Sequence, residues 1–226
     1  MALKAPTGNN TNRVAQPTLE PATYPARIVR ILDYGLQPQS FNGEQKAPAQ
    51  VISITYELLD VFMVDEQRKE LEDKPRWISE EFPLHPMSSD RARSTQRYSA
   101  LDPENKFEGD WTRLITFPCM VTVAVNKKGD KTYENVSNVS TMRARDVDKA
   151  AELKNPSSVF LLDDPDMELF NKLPKWIQEK IQSNLNYAGS PLEAALKGKA
   201  PEKKQEAKKP PKEEPAEASD EDDIPW

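Results

Sequence analysis

Basic and aromatic side chains recur side by side in the segments that alternate like β-strands. Cationic groups pair with phosphates, and aromatic faces stack on unpaired bases, so this combination predicts a groove for single-stranded nucleic acid. The spacing of Trp77, Ser79 and Glu81 places them on one strand face, opposite Ile78, and directs Trp77 away from a core. The predicted binding residues are Arg30, Tyr34, Phe41, Lys46, Arg76, Trp77, Lys127, Lys128, Lys131 and Tyr133.

Each of these residues also has a purely structural interpretation. Trp77 and Tyr34 could equally be aromatic residues of a core or its rim, whereas Phe41 lies in a polar segment that favours exposure. Lys127 and Lys128 could simply be the solvated residues of a hairpin turn. Tyr56 shares a face with Ile52, Ile54 and Leu58, and this pattern assigns it to the core.

The net charge of −6 is carried by the C-terminal end of the chain. Residues 213–226 hold seven acidic residues and no basic one, so removing their −7 from the total of −6 leaves +1 on residues 1–212. The tail ends in Ile224, Pro225 and Trp226, for which solubility gives no reason. We interpret this end as a hook for a partner protein, with apolar side chains that enter a pocket and carboxylates that pair with its basic rim. The predicted partner-binding residues are Asp220, Glu221, Asp222, Asp223, Ile224, Pro225 and Trp226.

The composition removes the material for several common chemistries. One cysteine, Cys119, allows neither a disulfide framework nor a cysteine-based zinc site within one chain, and any histidine-dependent site would need His85. The sequence therefore predicts no catalytic residues, no metal and no cofactor. A metal-dependent nuclease remains the enzymatic alternative, with the carboxylates of Asp60, Asp65, Glu80 and Glu81, although their spacing matches no recognised cluster.

Both ends of the chain have compositions typical of disorder. Residues 1–23 and 190–226 are rich in polar, charged and proline residues, which bury too little apolar surface to offset the chain entropy. The folded domain is therefore predicted to span residues 24–189. The sequence has no apolar run of about 20 residues and no signal-peptide core at its start, so we expect a soluble, cytosolic protein with no membrane contact.

Within that domain the patterns predict a mainly β fold of the α+β class. Strands are expected at residues 26–34, 51–62, 76–82, 119–126 and 131–139, with a loop at 37–49, a helix at 88–101 and a short helix at 109–117. Five strands with a helix between the third and fourth is the element order of the OB-fold, a small Greek-key barrel. Helices at 164–173 and 174–187 are expected to dock on the barrel, the latter through Trp176, Ile177, Lys180, Ile181 and Leu185.

Two parts of the sequence resemble known proteins. The end Asp222-Asp223-Ile224-Pro225-Trp226 is similar to the acidic tip of bacterial single-stranded DNA-binding proteins, which usually ends in Phe and recruits replication and repair enzymes. Residues 24–29, 32–37, 73–84 and 173–177 resemble bacteriophage single-stranded DNA-binding proteins. This resemblance spans about residues 24–189 and implies an OB-fold that acts in phage DNA replication, recombination and repair.

The sequence thus predicts sequence-independent binding and protection of single-stranded DNA in the cytoplasm of an infected bacterial host. The tail is expected to recruit a polymerase, a helicase-primase, a recombinase or a nuclease, and to compete with DNA for the basic groove. A homodimer is left open. The alternatives are the nuclease above and an adaptor that binds proteins through its tail and never contacts DNA.

Overall fold

The fold is mainly β, and residues 14–198 of the chain are described in a computed structural model. The strands are β1 (Thr23–Phe41), β2 (Glu44–Val64), β3 (Glu70–Pro83), β4 (Pro118–Lys128), β5 (Lys131–Thr141) and β6 (Ser158–Phe160). They form one sheet in the order β3-β2-β1-β4-β5, and all of these neighbours are antiparallel. The short β6 runs parallel to β1 and was not predicted.

Five α-helices lie in the described part of the chain, and all of them are short. They are α1 (Arg93–Leu101), α2 (Ala144–Val147), α3 (Met167–Lys172), α4 (Lys175–Gln182) and α5 (Pro191–Leu196), and a 3₁₀ turn spans Trp111–Leu114. The predicted order of three strands, a helix and two strands is confirmed. Across residues 14–198, no helix has the length and apolar character that a membrane span would need.

The predicted loop at 37–49 is wrong, because β1 and β2 continue as a two-stranded ribbon to the pair Phe41 and Glu44. Asn42 and Gly43 make the tight turn, and both have positive φ angles (52° and 83°), as hairpin turns of two residues require. Pro38 and Pro48 suggested a loop, but both are exposed in this ribbon, where no third strand needs their missing N–H groups.

The first core lies between the inner face of the sheet and α1. It includes Ile28, Ile54 and Tyr56, which are fully buried, so the assignment of Tyr56 to the core is confirmed. From the segment between β3 and β4, Tyr98 and Trp111 pack into it with their rings 5.2 Å apart. This segment therefore covers the inner face of the sheet with aromatic surface.

The sheet is open, unlike the closed barrel that was predicted. No backbone ladder joins β3 to β5 among the described residues. Side chains bridge the two strands instead: Arg76 of β3 pairs with Glu134 of β5 at 3.0 Å. Arg97 of α1 pairs with Glu80 of β3 at 3.0 Å and donates to the carbonyl oxygen of Ser137 of β5 at 3.1 Å.

The N-terminal residues 14–22, which precede the predicted folded domain, extend along this gap. The side chain of Gln16 accepts a hydrogen bond from the Val64 N–H at 2.8 Å. The carbonyl of Pro17 accepts one from Arg76 at 2.7 Å, and the Leu19 N–H donates one to Glu134 at 2.7 Å. The Leu19 side chain is buried in the first core.

A second core forms where the C-terminal segment covers the opposite side of the sheet. Leu32 and Tyr34 of β1 and Val51 of β2 pack there against side chains from β6 and α3 to α5, namely Phe160, Phe170, Leu173, Ile177, Ile181 and Leu192. The predicted docking of the C-terminal helices is therefore confirmed for Ile177 and Ile181, whereas Trp176 and Leu185 are exposed. Leu192 of α5, which follows the predicted folded domain, is fully buried.

Candidate nucleic-acid interface

A polar patch lies on the side of the sheet that faces away from the first core. We define this outer face by Arg30 of β1, Thr55 of β2, and Trp77 and Ser79 of β3. The register pairs Arg30 with Thr55 and Thr55 with Ser79, so the three side chains lie across adjacent strands. The hydroxyls of Thr55 and Ser79 are 2.9 Å apart, and an Arg30 Nη2 is 3.5 Å from Thr55 Oγ1.

Trp77 presents an aromatic surface on the outer face. The Trp77 side chain points to the opposite face of β3 from the buried Ile78, as predicted, and it is 38% exposed. The Arg30 guanidinium lies 5.3 Å from the centre of its ring, within the range of a cation–π contact. The prediction that Trp77 points away from the core is confirmed, and the structure brings Arg30 into contact with it.

A buried carboxylate holds the indole in place. Glu57 of β2 is fully buried and accepts the Trp77 Nε1–H at 3.0 Å. It also accepts the backbone N–H of Lys154 at 2.6 Å and the side-chain amide of Asn155 at 2.7 Å. Because these donors satisfy both carboxylate oxygens, the charge is stabilised without a cation, and the Trp77 ring is fixed before any ligand arrives.

Arg30 is a partly dehydrated cation. Its Nε is buried and has no hydrogen-bond acceptor among residues 14–198. Burial lowers the pKa of Arg30, because the charged form loses hydration, but an arginine side chain remains protonated in proteins. An anion placed beside this side chain would therefore meet a cation that has few competing contacts.

Tyr34 does not offer a face for stacking, contrary to the prediction. Its side chain is 1% exposed, because β6 and the C-terminal helices cover it in the second core. Burial also raises the pKa of the Tyr34 phenol. Lys180 of α4 lies with its Nζ 5.2 Å from the centre of the Tyr34 ring and pairs with Glu81 at 2.6 Å.

Arg76 is also a structural residue, although it was predicted to bind a ligand. Its side chain is largely buried and donates to both carboxylate oxygens of Glu134 and to the carbonyl of Pro17. Nη2 donates to Glu134 and Nη1 to Pro17, so the guanidinium joins β3, β5 and the N-terminal segment. A phosphate would have to displace this ion pair, and we therefore remove Arg76 from the candidate interface.

The tip of the β1–β2 ribbon carries two predicted residues. Phe41 is 67% exposed, the highest value among the large apolar side chains described. Lys46 is exposed and pairs with Glu44 at 2.8 Å, an ion pair of the kind that contributes little in water. Both residues are therefore accessible, at the end of a ribbon that extends beyond β3.

The tip of the β4–β5 hairpin carries the other four. Lys127, Lys128 and Lys131 are exposed, and Tyr133 is 45% exposed. Lys128 and Lys131 are directly opposite each other across the hairpin, a repulsive arrangement unless an anion lies between or beside them.

The two hairpins leave the sheet in opposite directions. β4 pairs with the first residues of β1 and continues past Thr23, whereas the β1–β2 ribbon projects from the far end of β1. The accessible predicted residues therefore lie in three places along the molecule: one tip, the outer face and the other tip. They form a path for an extended ligand and not a single pocket.

The carboxylates of the nuclease alternative do not converge. Glu80 is bound by Arg97 at 3.0 Å and by the Tyr56 hydroxyl at 2.9 Å, and Glu81 pairs with Lys180. Among residues 14–198, no group of three or more His, Cys, Asp or Glu side chains is placed to hold a metal ion. The thiol of Cys119 is buried in the first core, and burial raises its pKa far above the usual range.

Sequence reasoning missed several residues of the interface region. Thr55 and Glu57 alternate with the buried Ile54, Tyr56 and Leu58, and this alternation could have identified them as residues of the outer face. Asn155 and Lys154 come from a segment with no periodic pattern, so no signal in the sequence pointed to them. Lys180 was assigned to the packing stripe of α4, but it reaches the edge of the sheet face.

The predicted hook, residues 220–226, lies outside the described residues, and the structure adds nothing to that prediction. Comparison of the sequence with protein-family models and with curated proteins found no match to either.

Proposed function

We propose that this chain binds single-stranded DNA without sequence preference. The observation that carries the proposal is the half-exposed Trp77 on the outer face, with the Arg30 guanidinium against its ring and the Glu57 carboxylate on its N–H. A base that stacks on a fixed aromatic ring contributes about 1–3 kcal/mol, and this contribution hardly depends on which base it is. Arg30, whose guanidinium lies 5.3 Å from the ring centre, would pair with the phosphate beside that base.

The two hairpin tips extend the same chemistry in both directions. Phe41 and Lys46 at one tip, and Tyr133 with three lysines at the other, offer further aromatic faces and cations. Hydroxyls, guanidinium and ammonium groups on a backbone path do not distinguish base edges, which favours binding without sequence preference. A single strand is favoured over a duplex, because stacking requires unpaired bases.

We further propose that the body is an OB-fold whose barrel is completed by side chains. The order of five strands, the helix between β3 and β4, and the bridges from Arg76 and Arg97 across the gap between β3 and β5 support this assignment. In OB-folds the ligand lies on the outer face of the second and third strands, between the β1–β2 and β4–β5 loops. The outer face and both hairpin tips occupy the corresponding positions.

We propose, from the resemblance of the sequence to phage proteins, that this activity serves DNA replication, recombination and repair in the cytoplasm of an infected bacterium. The acidic tail competes with DNA for the basic path when no DNA is bound, and bound DNA releases it. Its last residues, Ile224, Pro225 and Trp226, then recruit a polymerase, a helicase-primase, a recombinase or a nuclease. A homodimer is compatible with this role.

The deciding experiment is an anisotropy titration of the full-length chain with fluorescein-labelled poly(dT), at low and at high salt. We expect binding that weakens as salt rises, since each neutralised phosphate releases a counterion. A duplex of the same length is the control and should bind much more weakly. If poly(dT) does not bind even at low salt, the proposal fails and the adaptor alternative is favoured. Cleavage of the oligonucleotide in Mg²⁺ would favour the nuclease alternative instead.

Removal of residues 219–226 tests the role of the tail. We expect the shortened chain to bind poly(dT) as tightly as the full-length chain or more tightly, because four of the seven acids of the competing tail are gone. A replacement of Ile224 and Trp226 by Ala, with all acids kept, is the matched control: it should leave DNA affinity unchanged and abolish partner recruitment. Weaker DNA binding by the shortened chain would contradict the competition.

A further inference from the structure

A cavity of about 350 Å³ opens beside Trp77, next to the outer face. It is lined by Met63, Lys74, Pro75, Arg76, Trp77 and Asn155. Arg30 is not part of its wall, although Arg30 lies against the Trp77 ring. The cavity and the Arg30 guanidinium therefore contact different parts of the same indole.

The walls of this cavity are largely fixed in advance. Trp77 and Asn155 both donate to the same oxygen of Glu57, at 3.0 and 2.7 Å. Arg76 is held by Glu134, and Pro75 is buried in β3. A ligand that enters would therefore lose little affinity to ordering of the protein.

The chemistry of the walls is that of a site for a flat, partly polar ring. Met63 and Trp77 are both about one-third exposed and supply apolar surface, one a polarisable thioether and the other an aromatic face. The Asn155 amide uses one hydrogen on Glu57, so within the described chain its oxygen and second hydrogen are available to a ligand. Lys74 is exposed at the rim, where an ammonium group can pair with a phosphate.

We propose that this cavity receives one unstacked base of the bound strand, packed between Trp77 and Met63, with Lys74 on the adjacent phosphate. The proposal rests on the proposed function and specifies where one base is held. It identifies Met63, Lys74 and Asn155 as binding residues that the sequence did not reveal. The base would contact the part of the Trp77 ring that Arg30 does not cover. Trp77 would then contact both a base and the Arg30 guanidinium, which pairs with a phosphate.

The test compares the full-length chain and its Met63→Ala variant on two oligonucleotides of equal length. One is oligo(dT), and the other has the same backbone with abasic sites in place of the bases. We expect the variant to bind oligo(dT) about three- to tenfold more weakly and to bind the abasic strand like the unchanged chain, since only the base contact is lost. Met87→Ala is the matched control, because Met87 is similarly exposed but lies between β3 and α1, outside the cavity.

Photocrosslinking of oligo(dT) that contains 5-iododeoxyuridine gives a second measurement that needs no substitution. We expect crosslinks at Trp77 or Met63 in the peptide map. Crosslinks at Phe41 and Tyr133 alone, or an equal effect of Met63→Ala on both oligonucleotides, would overturn the cavity site and leave DNA binding intact. Tighter oligo(dT) binding by Met63→Ala would also overturn it, by indicating that the tail occupies the cavity. Failure of the unchanged chain to bind either strand would overturn the proposed function itself.

Discussion

Two cation–aromatic pairs lie on the same side of the sheet and differ in what covers them. Lys180 is 5.2 Å from the ring centre of Tyr34, and Arg30 is 5.3 Å from that of Trp77. Tyr34 is 1% exposed because β6 and helices α3 to α5 cover it, whereas Trp77 is 38% exposed and does not belong to that core. The Lys180–Tyr34 pair thus belongs to a core in the covered half of this sheet face. The Arg30–Trp77 pair belongs to an accessible surface in the open half.

This difference teaches that the C-terminal segment decides which half can bind a ligand. The covered half contains the apolar side chains of Leu32 and Val51 beside Tyr34, whereas the open half contains the hydroxyls of Thr55 and Ser79. The chain comes close to the sheet at Gly35, whose φ is +77° and where an added Cβ would lie 2.6 Å from Leu162. Only glycine allows this approach, so β1 itself is adapted to being covered there.

The largest effect on stability is expected from a substitution in the core of the covered half. Phe170→Ala removes a fully buried ring that packs 5.7 Å from Phe160, and we expect the free energy of unfolding to fall by about 3–5 kcal/mol. Urea denaturation measures this loss. Leu161→Ala, at an exposed neighbouring position, is the control and should change stability by less than about 0.5 kcal/mol. A loss below about 1 kcal/mol for Phe170→Ala would contradict the packing of the second core.

A break in the open half should affect binding more than stability. Trp77→Ala removes the stacking surface, and we expect the affinity for poly(dT) to fall by about 5- to 150-fold, equivalent to about 1–3 kcal/mol. Trp176→Ala is the matched control, since Trp176 is exposed on α4 and outside the interface. Anisotropy titrations measure both variants. Equal losses for the two tryptophans would remove the distinction between the halves.

The smallest effect is expected at the β4–β5 tip, outside both halves. Replacement of Lys127, Lys128 and Lys131 by Ala should lower poly(dT) affinity modestly at physiological salt. It should also make the slope of log K against log salt shallower by about 2, because each lost phosphate contact contributes about 0.7 on single strands. Lys172→Ala with Lys175→Ala, on α3 and α4 and outside the β4–β5 tip, is the control. An unchanged slope in the triple variant would exclude this hairpin from the binding path.

Much of the fold could be predicted, because alternation reports directly on burial within a strand. Ile52, Ile54 and Tyr56 fall on one face by spacing, and all three are buried in the first core. The same rule directed Trp77 outwards. The length of the β1–β2 ribbon was not predicted, because Pro38 and Pro48 suggested a loop. A proline interrupts a sheet only where its missing N–H would have to pair with a neighbouring strand.

The candidate site was harder to predict, since alternation shows which way a side chain points and not what lies over it. Tyr34 and Trp77 both point away from the first core, yet only one is accessible. Arg76 shares its strand with Trp77, but Glu134 and the Pro17 carbonyl bind it from segments far away in the chain. No local pattern predicts such partners, because they are brought together only when β3, β5 and the N-terminal segment meet.

The sequence by itself determined the mainly β class, the order of strands around α1, the inward direction of Tyr56 and the outward direction of Trp77. These properties depend on neighbours a few residues apart, and the chemistry of adjacent residues is sufficient to specify them. Only the tertiary structure decided that the sheet stays open, that Tyr34 and Arg76 are structural, and that Glu57, Lys154 and Asn155 fix the Trp77 ring. Those outcomes depend on contacts between residues tens of positions apart in the chain. Such contacts form only when the chain has folded, so no local pattern reports on them.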